Sequence, residues 1–549
     1  LIRDRQSENP FLLLKCPWCG AEMGPVKADR RTVTKGYRQE SGKVFFCCED
    51  EDCSFSHGEG LPLHVIDEAI YEERPTLVVG TVDKFAMLPW KPQAGSLFGL
   101  NSGGCISPPD LVIQDELHLI SGALGSMVGH YEATIDALCT AQDGPFAGCS
   151  AKIVASTATI CRASGQVKAL YAREAFLFPP QGLQAGESFF ARERTDKPGR
   201  LYVGVFGSAL SSHVTAQIRV MSALLQAAKS VPATHADMDW YWTLMCYFNS
   251  IRELGHAATL LRADIRDYLN AMWDRLQVRK SKDDKDAPDP RRFINYDLEL
   301  TSRIQNSEIT SALQALFNSM KDGSAKTKAV DVCLATNMIQ VGLDVSRLGL
   351  MTVVGQPKTT SEYIQATSRV GREAKGPGLV VMVFNCGKPR DRSHYEHFRS
   401  YHQSIYRWVE PTSVTPFALP VRDRALHAQL VTLARFWGDG NLLEKPYPAP
   451  DDDLVARIRE VLLSRAEAVD PEESTFLDER LTELVEHWRK VEPPQYGSPV
   501  GTTSAEVPLL YPSGSEKRLE WSNRAWPTPM SMRNVDATCE AEALKDLPD

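Results

Sequence analysis

The sequence predicts an α/β protein with two parallel-sheet domains, a small cysteine-held module ahead of the first, and a helical region after the second. Three observations carry this. Short apolar β-rich runs alternate with helical patterns over residues 75–200 and again after Gly199, which is the signature of βα units around a parallel sheet. Paired cysteines crowd a polar stretch within the first 70 residues. Beyond residue 411, helical patterns such as Asp453 to Ala466 and Thr475 to Val491 give way to a Pro/Ser/Gly-rich tail.

The 549 residues are several times the usual domain size, so several cores are expected. The segments read as 1–72, a metal-binding module inserted in or attached to the first sheet domain; 73–199, the remainder of that domain; 200–410, the second sheet domain; and 411–549, a helical accessory region and tail. Apolar content of 43% and charged content of 24% fit a soluble globular chain, and no apolar run approaches the roughly 20 residues that span a bilayer. No membrane role is expected. The net charge of -9 excludes a uniformly basic surface but leaves room for a basic groove. Most of the 13 cysteines are scattered singly through apolar stretches, Cys246 and Cys333 among them, which fits a reducing cytoplasm.

In the first segment, Cys16-Pro-Trp-Cys19-Gly places two thiolates where both reach one tetrahedral ion. Cys48 and Cys53 supply the expected second pair, with Cys47 or His57 as substitutes. The reading is structural Zn²⁺, because a four-cysteine site leaves no open coordination position.

In the first sheet domain the expected strands are Thr76 to Val79, Leu111 to Ile113 and Lys152 to Ala155. The second of these runs into Asp115-Glu116-Leu-His118. Adjacent carboxylates at the end of a buried strand suit phosphoryl transfer to water, Asp115 holding Mg²⁺ and Glu116 the attacking water, with His118 coupling to the second domain. Taken alone the tetrapeptide fits an exposed helix as well. The third run ends in Ser156-Thr157-Ala-Thr159, hydroxyls able to sense the neighbouring strand.

The second domain is read from runs at Leu201 to Val205, Tyr241 to Phe248, Val330 to Leu334, Met351 to Val354 and Leu379 to Phe384. Asn249 or Ser250 caps a helix with Leu254, Ala257, Ala258, Leu261 and Ile265 on one face, and Lys280 to Arg292 reads as a solvated loop. Thr336 and Asn337 offer short hydrogen-bonding groups to a phosphate backbone, while Gly342 and Asp344 lie near nucleotide. Gln365 precedes Arg369 and Arg372, whose spacing places both on one helical face and suits bidentate contact with a γ-phosphate. Gly80-Thr81-Val-Asp83-Lys84 and Ser302-Arg303 are candidate nucleic-acid contacts at further strand ends.

In this order, the motifs are those of a superfamily 2 helicase with two RecA-like domains, in which Asp115 and Glu116 face Arg369 and Arg372 across a cleft. The expected ligands are ATP, Mg²⁺ and DNA held mostly by its backbone. The phosphate-gripping G-x-x-x-x-G-K-[ST] loop does not occur in residues 1–549. It is expected to precede Leu1, so that these residues alone would not hydrolyse ATP.

Residues Ile113–Gly129, Gln340–Met351, Gly355–Arg372 and Ser531–Val535 resemble the DrmA family, the helicase subunits of DISARM anti-phage systems. The resemblance implies DNA rather than RNA, a bacterial cytoplasmic setting, and a partner subunit carrying a DUF1998 region. Two other readings differ in class or setting: an ATP-independent DNA-binding scaffold with a motor-like fold, and a zinc-containing repair helicase.

Overall fold

The computed structural model describes residue 13 and residues 15–533, apart from 29–30, 41–42, 57–59, 101–105, 142–146, 158–162, 181, 184–186, 193, 195, 198, 211, 232–233, 280–290, 302, 305, 321–327, 338–343, 374–375, 501–505, 515–520 and 522. The chain forms two compact units, Leu1–Leu63 with Pro179–Glu410, and His64–Phe178 with Pro411–Asp549. The helical C-terminal region thus shares a unit with the segment that carries Asp115. Among the described residues, no helix is long and apolar enough to cross a membrane.

Two antiparallel hairpins open the first unit, β1 (Gly24–Ala28) with β2 (Arg31–Lys35) and β3 (Tyr37–Glu40) with β4 (Lys43–Phe46). Their apolar content is small, consisting of Met23, Phe46 and Leu61 around Cys16, Cys48 and Cys53.

The second half of this unit is a six-stranded parallel sheet. Its strands are β7 (Arg200–Phe206), β8 (Leu244–Phe248), β9 (Asp297–Leu300), β10 (Val332–Ala335), β11 (Leu350–Val354) and β12 (Gly378–Phe384), in the order β7-β12-β11-β8-β10-β9. The continuous apolar runs are explained by burial on both faces. Met245, Tyr247, Cys333, Met351 and Val353 enter one core, while Leu244, Cys246, Phe248, Val332 and Leu350 enter the other. Helices α4 (His213–Ser230), α6 (Ile251–Arg262) and α7 (Asp264–Arg279) belong to the second core, and α8 (Asn306–Phe317) and α9 (Thr360–Thr367) to the first. Ser250, not Asn249, caps α6 by accepting from the amide of Glu253, whereas the Asn249 amide donates to the carbonyls of Val354 and Gly355.

Two expectations are corrected. Thr76 to Val79 has no strand, and Leu77 and Val79 are 73% and 87% exposed. The stretch expected to be solvated ends in a buried Arg292, whose guanidinium meets Asp331 at 2.8 Å and lies 3.1 Å from the Trp242 ring centroid. Residues 280–290 lie outside the described residues. Burial pulls the Arg292 pKa down to about 10 against the opposing pull of Asp331. Desolvating a guanidinium demands an anion beside it, and charge patterning along the chain cannot reveal a partner 39 positions away.

In the second unit, β5 (Leu111–Gln114) pairs in parallel with β6 (Lys152–Ala155). Leu111, Ile113 and Val154 on these strands are 47%, 62% and 44% exposed. The core lies behind them. It is built on α2 (Gly122–Leu138) and α12 (Leu419–Trp437), with α3 (Ala163–Tyr171), α14 (Asp452–Val469) and α15 (Ser474–Val491) packed around. Both central helices are buried on most sides, with polar groups such as His130 and Glu132 of α2 and Arg422, His427 and Gln429 of α12 among the buried side chains. Gly129 lets α2 approach closely, since a Cβ there would lie 3.2 Å from Pro416 and 3.4 Å from the Ala169 carbonyl.

One acid is buried in this core. Glu132 of α2 is pushed up to about 7 by burial, with Arg465 opposing the shift and Asp136 adding to it. Asp136 itself takes both arginines, Arg173 at 2.5 Å and Arg465 at 3.2 Å. Below about 4.5 the folded and unfolded states are both protonated at Glu132; between about 4.5 and 7 the unfolded chain releases a proton that the folded chain keeps, so stability falls as pH rises. Glu132→Gln removes that slope. Its advantage in unfolding free energy over the parent is expected to grow by about 1–3 kcal/mol from pH 4.5 to pH 8. Denaturant melts at four pH values test this, and a pH-independent difference would rule it out.

Candidate functional site

The two strands of the second unit end side by side because they pair in register, Gln114 opposite Ala155. The next residues are stitched across the gap. The Ser156 amide donates to the Gln114 carbonyl and the Leu117 amide to the Ser156 carbonyl, both at 2.9 Å. Asp115 and Glu116 from one strand therefore lie beside Ser156 and Thr157 from the other. The Ser156 hydroxyl donates to Asp115 Oδ1, which also accepts from the Glu116 amide at 2.9 Å. His118 Nδ1 lies 3.2 Å from Thr157 Oγ1 and 3.3 Å from Glu116 Oε2. Thr159 lies outside the described residues.

Glu116 has φ 51° and ψ 49°, left-handed backbone that costs a non-glycine residue of order 1 kcal/mol. Its side chain is 40% exposed while that of His118 is 8% exposed. The strained turn thus leaves the carboxylate accessible to solvent and anchors it from behind. An accessible acid oriented by an imidazole, beside a second acid fixed by a hydroxyl and an amide, can bind a hydrated cation and polarise a water.

In the first unit, β9 and β10 end together, the Thr336 amide donating to the Leu300 carbonyl. Thr336, Asn337 and Arg303 therefore share one end of the sheet. Thr336 is buried and donates to Asn337 Oδ1 at 3.3 Å. Arg303 is half exposed and bridges to Glu299 at 2.9 Å, with Glu299 also accepting from Thr301. Ser302 and Gly342 lie outside the described residues.

The arginines are not on one helical face. Helix α9 carries the buried Gln365 but stops at Thr367; Arg369 follows in a turn, and Gly371, at φ +64°, reverses the chain before Arg372. A Cβ on Gly371 would sit 2.5 Å from Gly378 Cα, so the tight approach excludes continued helix. Arg369 is buried, whereas Arg372 reaches Asp344 at 2.5 Å. Sequence reasoning missed the residue that holds this turn and one that joins two strand ends. Arg200 donates to the carbonyls of Val370 and Ser368, and the buried Asp391 accepts from the amides of Gln356 and Asn385 at the ends of β11 and β12. Their partners are distant in sequence, and no motif marks them.

Two of the proposed nucleic-acid contacts are engaged within the chain. Asp83 Oδ1 accepts from the Ser531 hydroxyl and the amides of Met532 and Arg533, while Oδ2 meets Arg533 Nε at 2.8 Å. Lys84 pairs with Asp67 at 2.7 Å. Thr81 is exposed and precedes a 3₁₀ turn, Val82–Met87.

In the hairpin module, Cys16, Cys19, Cys48 and Cys53 place their sulfurs within 4.8 Å of one another. Gly20, at φ +80°, permits the turn that brings Cys19 to Cys16, and the Gly20 amide donates to the Cys16 carbonyl. Cys47 is not in the cluster; His57 lies outside the described residues. Burial pushes the Cys48 thiol up to about 12, with the neighbouring thiols adding to the shift. Tetrahedral Zn²⁺ at about 2.3 Å per sulfur requires sulfurs about 3.8 Å apart, and four thiols at this spacing fit it.

Residues 294–374 match the family described as the helicase conserved C-terminal domain. Among solved structures, the chain is similar to the DUF1998 helicase MrfA bound to DNA and AMPPNP, with TM-score 0.44 and 14% identity over 72% of this chain and 45% of that one. It is also similar to the Mycobacterium smegmatis helicase Lhr bound to single-stranded DNA and AMP-PNP, with TM-score 0.42 and 15% identity over 72% and 40%. A curated relative, the DISARM protein DrmA of Bacillus paralicheniformis, is 37% identical across 96% of this chain and 48% of its own length. The chain thus spans about half of the relative it matches, and the segments that carry the resemblance include Asp115, Glu116, Arg369 and Arg372. Over the residues it shares with that relative, the chain belongs to the DrmA family.

Proposed function

We propose that the chain is part of an ATP-dependent DNA translocase or helicase of superfamily 2, serving phage defence together with a DUF1998-bearing partner subunit in the cytoplasm. The observation that carries the reading is the cluster of Asp115, Glu116, His118, Ser156 and Thr157 at the ends of two paired parallel strands. Bound Mg²⁺ would supply charge neutralisation at the β- and γ-phosphates. Asp115, already oriented by Ser156, would hold it. Glu116 orients and deprotonates the attacking water, and His118 fixes the Glu116 carboxylate. Arg369 and Arg372 lend positive charge to the γ-phosphate in the transition state, with Asp344 holding Arg372 until nucleotide competes for it. Gln365, Thr157, Thr159 and Gly342 complete the nucleotide contacts. DNA runs along the strand ends carrying Thr81, Ser302, Arg303, Thr336 and Asn337, while Asp83 and Lys84 shape that surface through their partners.

In the full-length protein, Glu116→Gln is expected to keep DNA binding within about twofold while lowering ATP turnover at least about a hundredfold, because the amide keeps the shape without the basicity. Phosphate release and fluorescence anisotropy on the same preparations test it. Unchanged turnover would remove Glu116 from its role. A parent protein that binds DNA with no turnover at all would establish the scaffold reading instead.

The cysteine cluster is expected to hold one structural Zn²⁺. Metal analysis of the purified protein should return about one zinc per chain, and Cys19→Ser with Cys53→Ser should lose it and expose the module to protease. Stoichiometric zinc retained by that double variant would place the metal elsewhere.

A further inference from the structure

Immediately behind the carboxylate turn lies a glutamine that neither strand-end motif contains. Gln166, in α3, is 3% exposed. Its Nε2 donates to the Leu117 carbonyl at 3.1 Å and to the Ile120 carbonyl at 2.6 Å. Both carbonyls flank His118 in the turn that presents Glu116. The Oε1 of Gln166 accepts from the Thr412 hydroxyl at 2.7 Å. The orientation of the amide is therefore fixed: two carbonyls on one side require the amide nitrogen there, which leaves the oxygen for Thr412.

Thr412 is not an isolated contact. Ser413 accepts from the Gly122 amide at the start of α2, and the Thr415 amide donates to the Ser126 hydroxyl, both at 2.9 Å. Residues 412–415 thus lie along the turn from Leu117 into α2. Two residues before Thr412, in the first unit, Glu410 accepts from the amide of Thr360 at 2.8 Å and from its hydroxyl at 3.1 Å. That carboxylate sits at the N-terminus of α9, the helix that leads to Arg369. One six-residue strap, Glu410 to Thr415, is consequently anchored at its start to the arginine helix and along the rest of its length to the carboxylate turn.

We propose that Gln166 and Thr412 are positioning residues for hydrolysis, and that the strap conveys displacement of α9 to Glu116 through them. This rests on the reading of Glu116 as the residue that activates water. A pull on Thr412 acts on Gln166 Oε1, and a planar amide passes it to the two carbonyls that set the height of the turn. Both act through the turn that presents Glu116, so they govern the rate of the chemical step rather than substrate affinity.

The test uses the full-length protein with and without DNA. Thr412→Val keeps the volume and removes the hydroxyl; Thr412→Ser restores it. Thr412→Val is expected to lower kcat for ATP about tenfold with KM and DNA affinity within about twofold and an unchanged melting temperature, and Thr412→Ser to recover most of the loss. Glu410→Ala, at the exposed anchor, is expected to reduce stimulation of turnover by DNA while leaving turnover without DNA near the parent value; it provides an independent arm should Thr412→Val fold poorly. Parent-like kcat in Thr412→Val, or equal loss in Thr412→Ser, overturns the proposal. If Glu116→Gln abolishes turnover while both strap variants behave as the parent, the strap fails and the motor reading stands. If the parent shows no turnover, both fall.

Discussion

A parallel strand buried on both faces is confined largely to apolar side chains, because an unpaired polar atom placed there would lose several kcal/mol of hydration. In the six-stranded sheet β8, β10 and β11 consist wholly of buried residues, with successive apolar side chains going to opposite cores and Thr352 of β11 a buried polar residue among them. Chemistry is displaced to the residues just beyond the carboxyl ends. Thr336 and Asn337 lie there, as do Asp391's amide partners and, in the other unit, Asp115, Glu116, Ser156 and Thr157. Pairing register then does the assembling, since parallel neighbours that start in register also finish side by side.

Around these ends the structure uses buried polar groups as braces. Gln166 and Arg200 each tie their own element to two carbonyls of one turn, and Asp391 joins the amides that follow β11 and β12, each with more than one hydrogen bond. Such groups are costly when partly satisfied and rigid when fully satisfied. The positive φ of Glu116 shows the same economy at the candidate base. A left-handed residue persists only where its surroundings over-determine it, and the bonds from Leu117 and to Asp115 on either side do so.

The relation to DrmA extends over nearly the whole chain, while the family match to the helicase C-terminal domain covers residues 294–374. The latter stretch runs from β9 through the arginine turn. In the second unit, residues from both sides of that stretch share one core, with α2 packed on α12 about 290 residues further along. A helical region that reads as accessory in sequence is therefore the packing partner of the carboxylate-bearing segment.

The residues themselves determined a good deal. Apolar runs of strand length identified five of the six strands of the large sheet, and a Ser beside an amphipathic pattern located the start of α6, because burial and capping are local and periodic. The adjacent acids, the hydroxyl run and the cysteine pairs were visible because their chemistry requires close spacing along the chain. What only the tertiary structure decided depends on distant partners. Arg292 reads as solvated until Asp331 is beside it, Asp83 reads as a DNA contact until Ser531 to Arg533 close on it, and the arginine pair reads as helical until Gly378 crowds Gly371. Thr76 to Val79 has the composition of a strand and no neighbour to pair with among the described residues. Hydrogen bonds between elements and close backbone approaches have no period in sequence, so the side chains that make them become legible only once the chain has folded back on itself.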